Sequence, residues 1–157
     1  MSSDTLIIGI GNRFRGDDAL GCLMAERIKA QVSPDDAEVI EHDGEPASLI
    51  DLWQAHKAVI LIDAVSSGAR AGTIHHIDLR EQALPDRFRS YSTHAFGIAE
   101  AVELARVLGK LPERIVFYGV EGKSFSADTE LSAPLKTASE VLYSRILQNI
   151  RKEREDA

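Results

Sequence analysis

The 157-residue chain has a single cysteine, Cys22, so it cannot hold an internal disulfide framework, and its thiol usage fits a reducing cytoplasm. Aromatic residues make up only 6% of it. No apolar run approaches the length needed to cross a bilayer. The start, "MSSDTLIIGIGN", lacks a basic n-region and a small-residue cleavage site, so it reads as a first strand and not as a leader. Basic charge is also scarce. The net charge is -7, and binding along a nucleic-acid backbone requires the opposite sign. Neither nucleic acid nor membrane is therefore an expected partner. No repeat or low-complexity tract divides the chain, and a single domain spanning 1–157 is expected, with 152–157 a frayed tail.

What is present is an alternation of strand-like and helix-like segments. Thr5–Gly9, Ala37–His42, Ala58–Asp63 and Arg114–Tyr118 read as strands, with Thr73–Leu79 a weaker, antiparallel edge candidate. Helical spacing covers 17–31, 47–54, 94–108 and 131–151; Gly109 and Pro112 close the third of these. The pattern predicts a three-layer α/β domain, a twisted and mostly parallel sheet with helices on both faces.

Between the first strand and helix lies "GIGNRFRGDDALG", Gly9 to Gly21. The dinucleotide fingerprint fails there because Phe14 stands where its third glycine belongs, and no Gly-Lys-Ser/Thr follows to make a Walker turn. The glycines thus read as backbone geometry, and two carboxylates remain to be explained. Asp17 is expected to cap the helix. Asp18, one step on, is either a surface acid facing the helix dipole or a group turned into the crevice above the sheet. Asp63 closes the apolar run "AVILID", where an ionised carboxylate is costly unless it is paired, bonded or on a metal; alternatively it serves the next turn. His94 opens a helix with Ser92 or Thr93 before it, where the helix dipole favours neutral imidazole, the metal-binding form. Two carboxylates and an imidazole on three strand-to-helix connections suit a borderline divalent ion such as nickel or zinc.

These residues resemble the NiFe-hydrogenase maturation proteases, whose opening motif GxGNxxxxDD/DExxG is matched by Gly9, Gly11, Asn12, Asp17, Asp18 and Gly21. The likeness continues through Asp63, "DGEPASLIDL" from Asp43, His94 and "GVEGKSFSADTELSAP" near the end. Glu45 and Pro46, Ala19 and the extra residue in "LSAP" depart from the family pattern. The "GVEGKSF" stretch looks most like proteases serving bidirectional, NAD-linked hydrogenases. The resemblance implies an endopeptidase that trims the C-terminal extension of a hydrogenase large-subunit precursor carrying nickel; a small domain with so large a substrate needs an accessible cleft, so a monomer is expected. It implies Asp18, Asp63 and His94 as catalytic and metal-binding residues, with nickel supplied by the precursor. Asn12, Asp43 and Gly44 are the expected contacts to the substrate tail.

No GxSxG or HExxH signature competes with this reading. Cys22, inside the first helix, reads as packing and not as a nucleophile. Of the other histidines His42, beside Asp43, stands out, whereas His56, His75 and His76 read as surface or strand-edge residues. Arg13 and Arg15 either face solvent or meet a carboxylate. Two further readings are a peptidyl-tRNA hydrolase-like enzyme, which would want a histidine soon after the turn and a basic groove, and a non-catalytic nucleotide- or phosphate-binding module.

Overall fold

The computed structural model describes residues 4–88, 93–127 and 130–156. Five strands form one sheet in the order β2-β1-β3-β5-β4: β1 is Thr5–Ile10, β2 Glu38–His42, β3 Ala58–Val65, β4 Ile74–Asp78 and β5 Arg114–Glu121. The first four in that row are parallel, and β4 runs antiparallel to β5 at the edge. Four helices complete the chain: α1 Leu20–Gln31, α2 Pro46–Trp53, α3 Thr93–Leu108 and α4 Ala133–Asp156. The last helix extends beyond the expected end near Arg151, through a run of Lys, Arg and Glu with good helix propensity.

The central strands are buried on both faces, so the period-two alternation of their side chains sorts two cores. Leu6, Ile8 and Ile10 of β1 and Val59, Leu61 and Val65 of β3 face α2 and α3, where they meet Trp53, Phe88, Ile98 and Phe117. Ile7, Ile62 and Ala64 face the other way, onto Leu20, Met24 and Ile28 of α1 and Leu135, Leu142 and Ile146 of α4. This gives the three layers that the alternation of elements implies. Leu23, part of the helical pattern, is 39% exposed; the buried face of α1 turns on Leu20, Gly21, Met24 and Ile28.

Two close approaches explain the Gly-rich turn. A Cβ at Gly21 would lie 2.2 Å from the Ile10 carbonyl oxygen and 2.7 Å from that of Ile62, so α1 packs backbone to backbone against β1 and β3. Gly11 has φ of 151°, and a Cβ there would meet the Asp18 carbonyl at 2.1 Å. The Asn12 amide donates to that same carbonyl at 3.1 Å. The close approach of the Asp18 carbonyl accounts for glycine at position 11 as backbone packing.

The α1 connection carries the chain from β1 to β2 on one side, and the α2 connection carries it from β2 back past β1 to β3 on the other. Adjacent β1 and β3 therefore flank a topological switch point, where an open α/β sheet leaves a crevice at the carboxyl ends of its strands.

Candidate active site

The first of the paired acids does not cap α1. Asp17 and Asp18 lie in a 3-10 turn, Gly16–Ala19, and Ala19 takes the N-cap position of α1 without a side-chain bond. Asp17 is fully buried and reaches the segment after β5. Its Oδ2 accepts from the Lys123 amide (2.7 Å), the Ser124 amide (2.9 Å) and the Ser132 hydroxyl (2.8 Å), and its Oδ1 accepts from the Ser132 amide (2.7 Å). The Asp17 amide donates back to the Ser124 carbonyl at 2.8 Å. Burial pushes its pKa upward, but bonds from Ser132, Ser124 and Lys123 outweigh this and hold the carboxyl below the usual range. The helix-cap assignment fails because the segment after β5 offers four donors where the helix N-terminus offers fewer in reach.

Fixing Asp17 turns Asp18 the other way, toward α3. Asp18 Oδ2 lies 3.1 Å from His94 Nε2, and His94 Nδ1 lies 2.8 Å from the Asp43 carbonyl. A carbonyl only accepts, so Nδ1 carries a proton. The pKa of His94 is raised to about 9, first by the bond to Asp18; desolvation opposes this, and the Asp63 charge and the Asp43 carbonyl add to it. The expectation of a neutral imidazole is thereby corrected. Nearby carboxylates exceed the effect of one helix terminus, which is of the order of 1 kcal/mol. Ser92, one of two expected caps, lies outside the described residues.

Asp63 is the group that calls for an explanation. It shares the face of β3 that carries Leu61 and Val65, pairs with Gly119, and is fully buried. Among the described residues, neither carboxylate oxygen has a hydrogen-bond partner. Burial drives its pKa well above the ordinary value; the His94 charge opposes this and the Asp18 charge reinforces it. The Ala64 amide also pulls it downward, without reaching hydrogen-bond geometry. The turn-serving role weighed for Asp63 has no bond to support it. Three connections thus bring Asp18 and His94 into contact and couple both electrostatically to Asp63.

A cleft of about 810 Å³ opens beside His94, which lines it with Gly11, Asn12, Phe14, His42 and Asp43 among others. Asn12 Oδ1 accepts from the Phe14 amide (2.9 Å), closing the turn. The Asp43 carboxylate accepts from the Glu45 amide (3.0 Å), and Gly44 packs against His94 behind the cleft. Arg13 meets carboxylates, bridging Glu41 and Glu26. Phe14 is 75% exposed at the rim.

Sequence reasoning passed over Glu121. It is buried at the end of β5, where it accepts from the Ser67 amide and hydroxyl and lies 3.2 Å from His75 Nε2. A carboxylate closing an apolar strand is the signal Asp63 gives, and "VFYGVE" carries it as well. His56, read as a surface residue, is largely buried against Glu38.

The donor set was tested against a metal on the chemistry of these residues. His94 donates its Nδ1 proton to a backbone carbonyl, the arrangement that orients a histidine ligand and leaves Nε2 for an ion. Asp63 is a buried carboxylate without a partner. With Asp18 they suit a borderline divalent cation. Among the described residues, no three such side chains already stand grouped around one point, and Asp18 Oδ2 and His94 Nε2 face each other.

The family model for hydrogenase maturation proteases (HycI) matches residues 22–149. The chain belongs to the hydrogenase maturation protease family. It is 34% identical over 127 residues to a Methanocaldococcus jannaschii protein assigned to this family, covering 78% of this chain and 79% of the other. It is 25% identical over 149 residues to the hydrogenase 2 maturation protease of Escherichia coli, covering 93% and 90%. Among solved structures, the E. coli hydrogenase maturating endopeptidase HybD superposes over 100% of both chains with a TM-score of 0.81 at 24% identity, a likeness of fold. The [NiFe] hydrogenase maturation protease HycI of Thermococcus kodakarensis matches at 0.74 and 28% identity, over 94% and 92%. As a hydrogenase maturation protease the chain is a hydrolase, and the tRNA-hydrolase and nucleotide-binding readings fall away. No helix among the described residues is long and apolar enough to cross a membrane.

Proposed function

We propose that this hydrogenase maturation protease removes the C-terminal extension of a NiFe-hydrogenase large-subunit precursor already loaded with nickel, and that Asp18, Asp63 and His94 engage that nickel. The observation that carries the reading is the Asp63 carboxylate, buried without a hydrogen-bond partner beside the Asp18–His94 pair. An ionised carboxylate in such a place is costly until a proton or a partner compensates it, and an incoming cation is such a partner. The nickel is part of the substrate, and when bound it supplies Lewis acidity toward the scissile carbonyl or toward a water.

The chain's own residues do the rest. Asp63 offers a buried oxygen donor near the carboxyl end of β3. Asp18 and His94 separate from each other to face the ion; His94 gives up its Nε2 proton, and the Asp43 carbonyl keeps the one on Nδ1. Asn12 and the segment at Asp43 and Gly44 seat the peptide in the 810 Å³ cleft. An open cleft on a small domain suits a monomer acting on a large folded substrate in the cytoplasm.

The test is processing of purified, nickel-loaded precursor followed by its mobility shift. Asp18→Asn, Asp63→Asn and His94→Ala are each expected to keep the native circular dichroism spectrum and to stop processing. Full processing by all three variants would sink the assignment.

A further inference from the structure

We infer that His42 is a positioning residue for His94, acting through the turn 42–45 that carries the Asp43 carbonyl. The inference rests on the reading of Asp18, Asp63 and His94 as the nickel-facing set, and it adds a residue outside that set.

The path is continuous in the structure. The Gly44 amide donates to His42 Nδ1 at 2.8 Å. An imidazole nitrogen that accepts carries no proton, so the ring proton sits on Nε2, which donates to the Ser48 hydroxyl at 2.9 Å. His42 is thus locked as one tautomer between a turn and α2, with its side chain only 10% exposed. Its own carbonyl accepts from the Gly11 amide, tying the same residue to the end of β1. Ser48 is held in turn because Glu45 caps α2 through the Ala47 and Ser48 amides, at 2.9 and 2.8 Å.

The ring fixes a strained turn. Gly44 has φ of 91°, a conformation that L side chains rarely adopt, and the bond from its amide to His42 holds it there. The Gly44 carbonyl is pressed against α3, where a Cβ at Gly97 would come within 2.2 Å of it. With the amide held by His42 and the carbonyl held by α3, the preceding carbonyl, that of Asp43, has one direction open, toward His94 Nδ1 at 2.8 Å. Loss of the His42 acceptor frees the Gly44 amide, lets the 43–44 peptide rotate, and removes the partner that selects the His94 tautomer. Outer partners of this kind are worth 10- to 100-fold in metal affinity or activity, to order of magnitude.

Three variants test the inference. His42→Asn places an amide oxygen near Nδ1 and keeps an acceptor for Gly44, whereas His42→Phe keeps a ring and removes it. Ser48→Ala releases the far side of the ring and covers the case in which His42→Phe folds poorly. In metal-free protein, proton–nitrogen NMR is expected to show a slowly exchanging His94 Nδ1 proton in the wild type and in His42→Asn. That proton is expected to be lost in His42→Phe and to exchange faster in Ser48→Ala. Titration with nickel(II) alone is expected to weaken roughly 10- to 100-fold in His42→Phe, with His42→Asn close to wild type. Processing is expected to lose kcat at unchanged KM for the precursor. The inference is overturned if His42→Phe or Ser48→Ala leaves both the proton signal and the nickel affinity unchanged, if His42→Asn falls as far as His42→Phe, or if the loss appears in KM. Wild-type protein that neither binds nickel nor processes precursor would instead refute the nickel reading, and the NMR comparison would still decide the role of His42.

Discussion

Replacing Asp17 by Asn tests the claim that this acid holds the loop after β5 and not the helix beside it. An Asn at this position keeps one acceptor oxygen. Placed on the Oδ2 side, that oxygen keeps the three donors from Lys123, Ser124 and the Ser132 hydroxyl. The amide nitrogen then faces the Ser132 amide, which stands 2.7 Å from the present Oδ1, donor against donor. One buried donor without a partner costs about 1–3 kcal/mol. The three surviving bonds lose the charge that makes such bonds about twice as strong as neutral ones. Together these predict a destabilisation of about 3–5 kcal/mol at neutral pH. The effect must also depend on pH in a fixed sense. The folded Asp17 carboxyl sits below its ordinary value, so its contribution is fully present above the unfolded pKa of about 3.9 and is lost as pH falls through the folded value. Urea unfolding followed by circular dichroism at pH 7 and pH 3.5 measures the gap between wild type and variant, in which the other titrating groups largely cancel. A gap near the prediction at pH 7 that narrows below about pH 4 supports the clamp. A gap under about 1 kcal/mol at pH 7, the size expected of a replaceable helix cap, or one of equal size at both pH values, refutes it.

Asp63→Asn is expected to stabilise the metal-free protein at neutral pH. The folded pKa of Asp63 lies above the unfolded one, so wild-type stability falls by up to about 1.4 kcal/mol per pH unit between them, and the Asn variant loses that slope. Unfolding midpoints at pH 5 and pH 7 that show the variant's advantage failing to grow with pH would contradict this. Gly21→Ala is expected to cost about 3 kcal/mol or more, since its Cβ meets two backbone oxygens that cannot yield, and a urea midpoint within error of wild type would disprove the close packing. Cys22 is buried, and burial first and then Glu41 raise its thiol to about 11. It is expected to resist iodoacetamide at pH 8 in the native protein, and Cys22→Ser to process precursor normally; rapid labelling by mass spectrometry would refute the first and loss of processing the second.

The fold was legible because its signals are local. Apolar runs such as "AVILID" and "RIVFY" announce central strands, helical spacing announces α1, α3 and α4, and the poorer run at Ile74–Asp78 does fall at an antiparallel edge. Asp63 was legible for a related reason, because a carboxylate ending an apolar strand contradicts its surroundings. What could not be read were contacts across the chain. Asp17 resembles a helix cap in sequence because Asp before a helix usually is one, and its real partners lie more than 100 residues away in a loop with no period of its own. The charge of His94 was misread for the same reason, since it depends on two carboxylates placed there by the turn after β1 and by β3. His42 could be noticed but not given a task, because its task runs through the Gly44 amide and an α3 contact that only the folded turn creates.

The adjacent acids divide a conflict that one residue could not resolve. A buried carboxylate is stabilising when saturated with donors and destabilising when left bare. Asp17 takes the donors and Asp63 takes none, and Asp18 stands between them, held in place by the first and turned toward the second through His94. Had Asp18 been saturated by the same loop, the turn would be more stable and the crevice would lack an oxygen donor at its rim. Had Asp17 been left bare as well, the turn after β1 and the end of β3 would each carry an uncompensated buried carboxylate. The division therefore confines the cost of the site to Asp63, on the central strand of the sheet, which is packed by hydrophobic side chains on both faces. On the reading proposed above, an incoming cation would relieve that deficit.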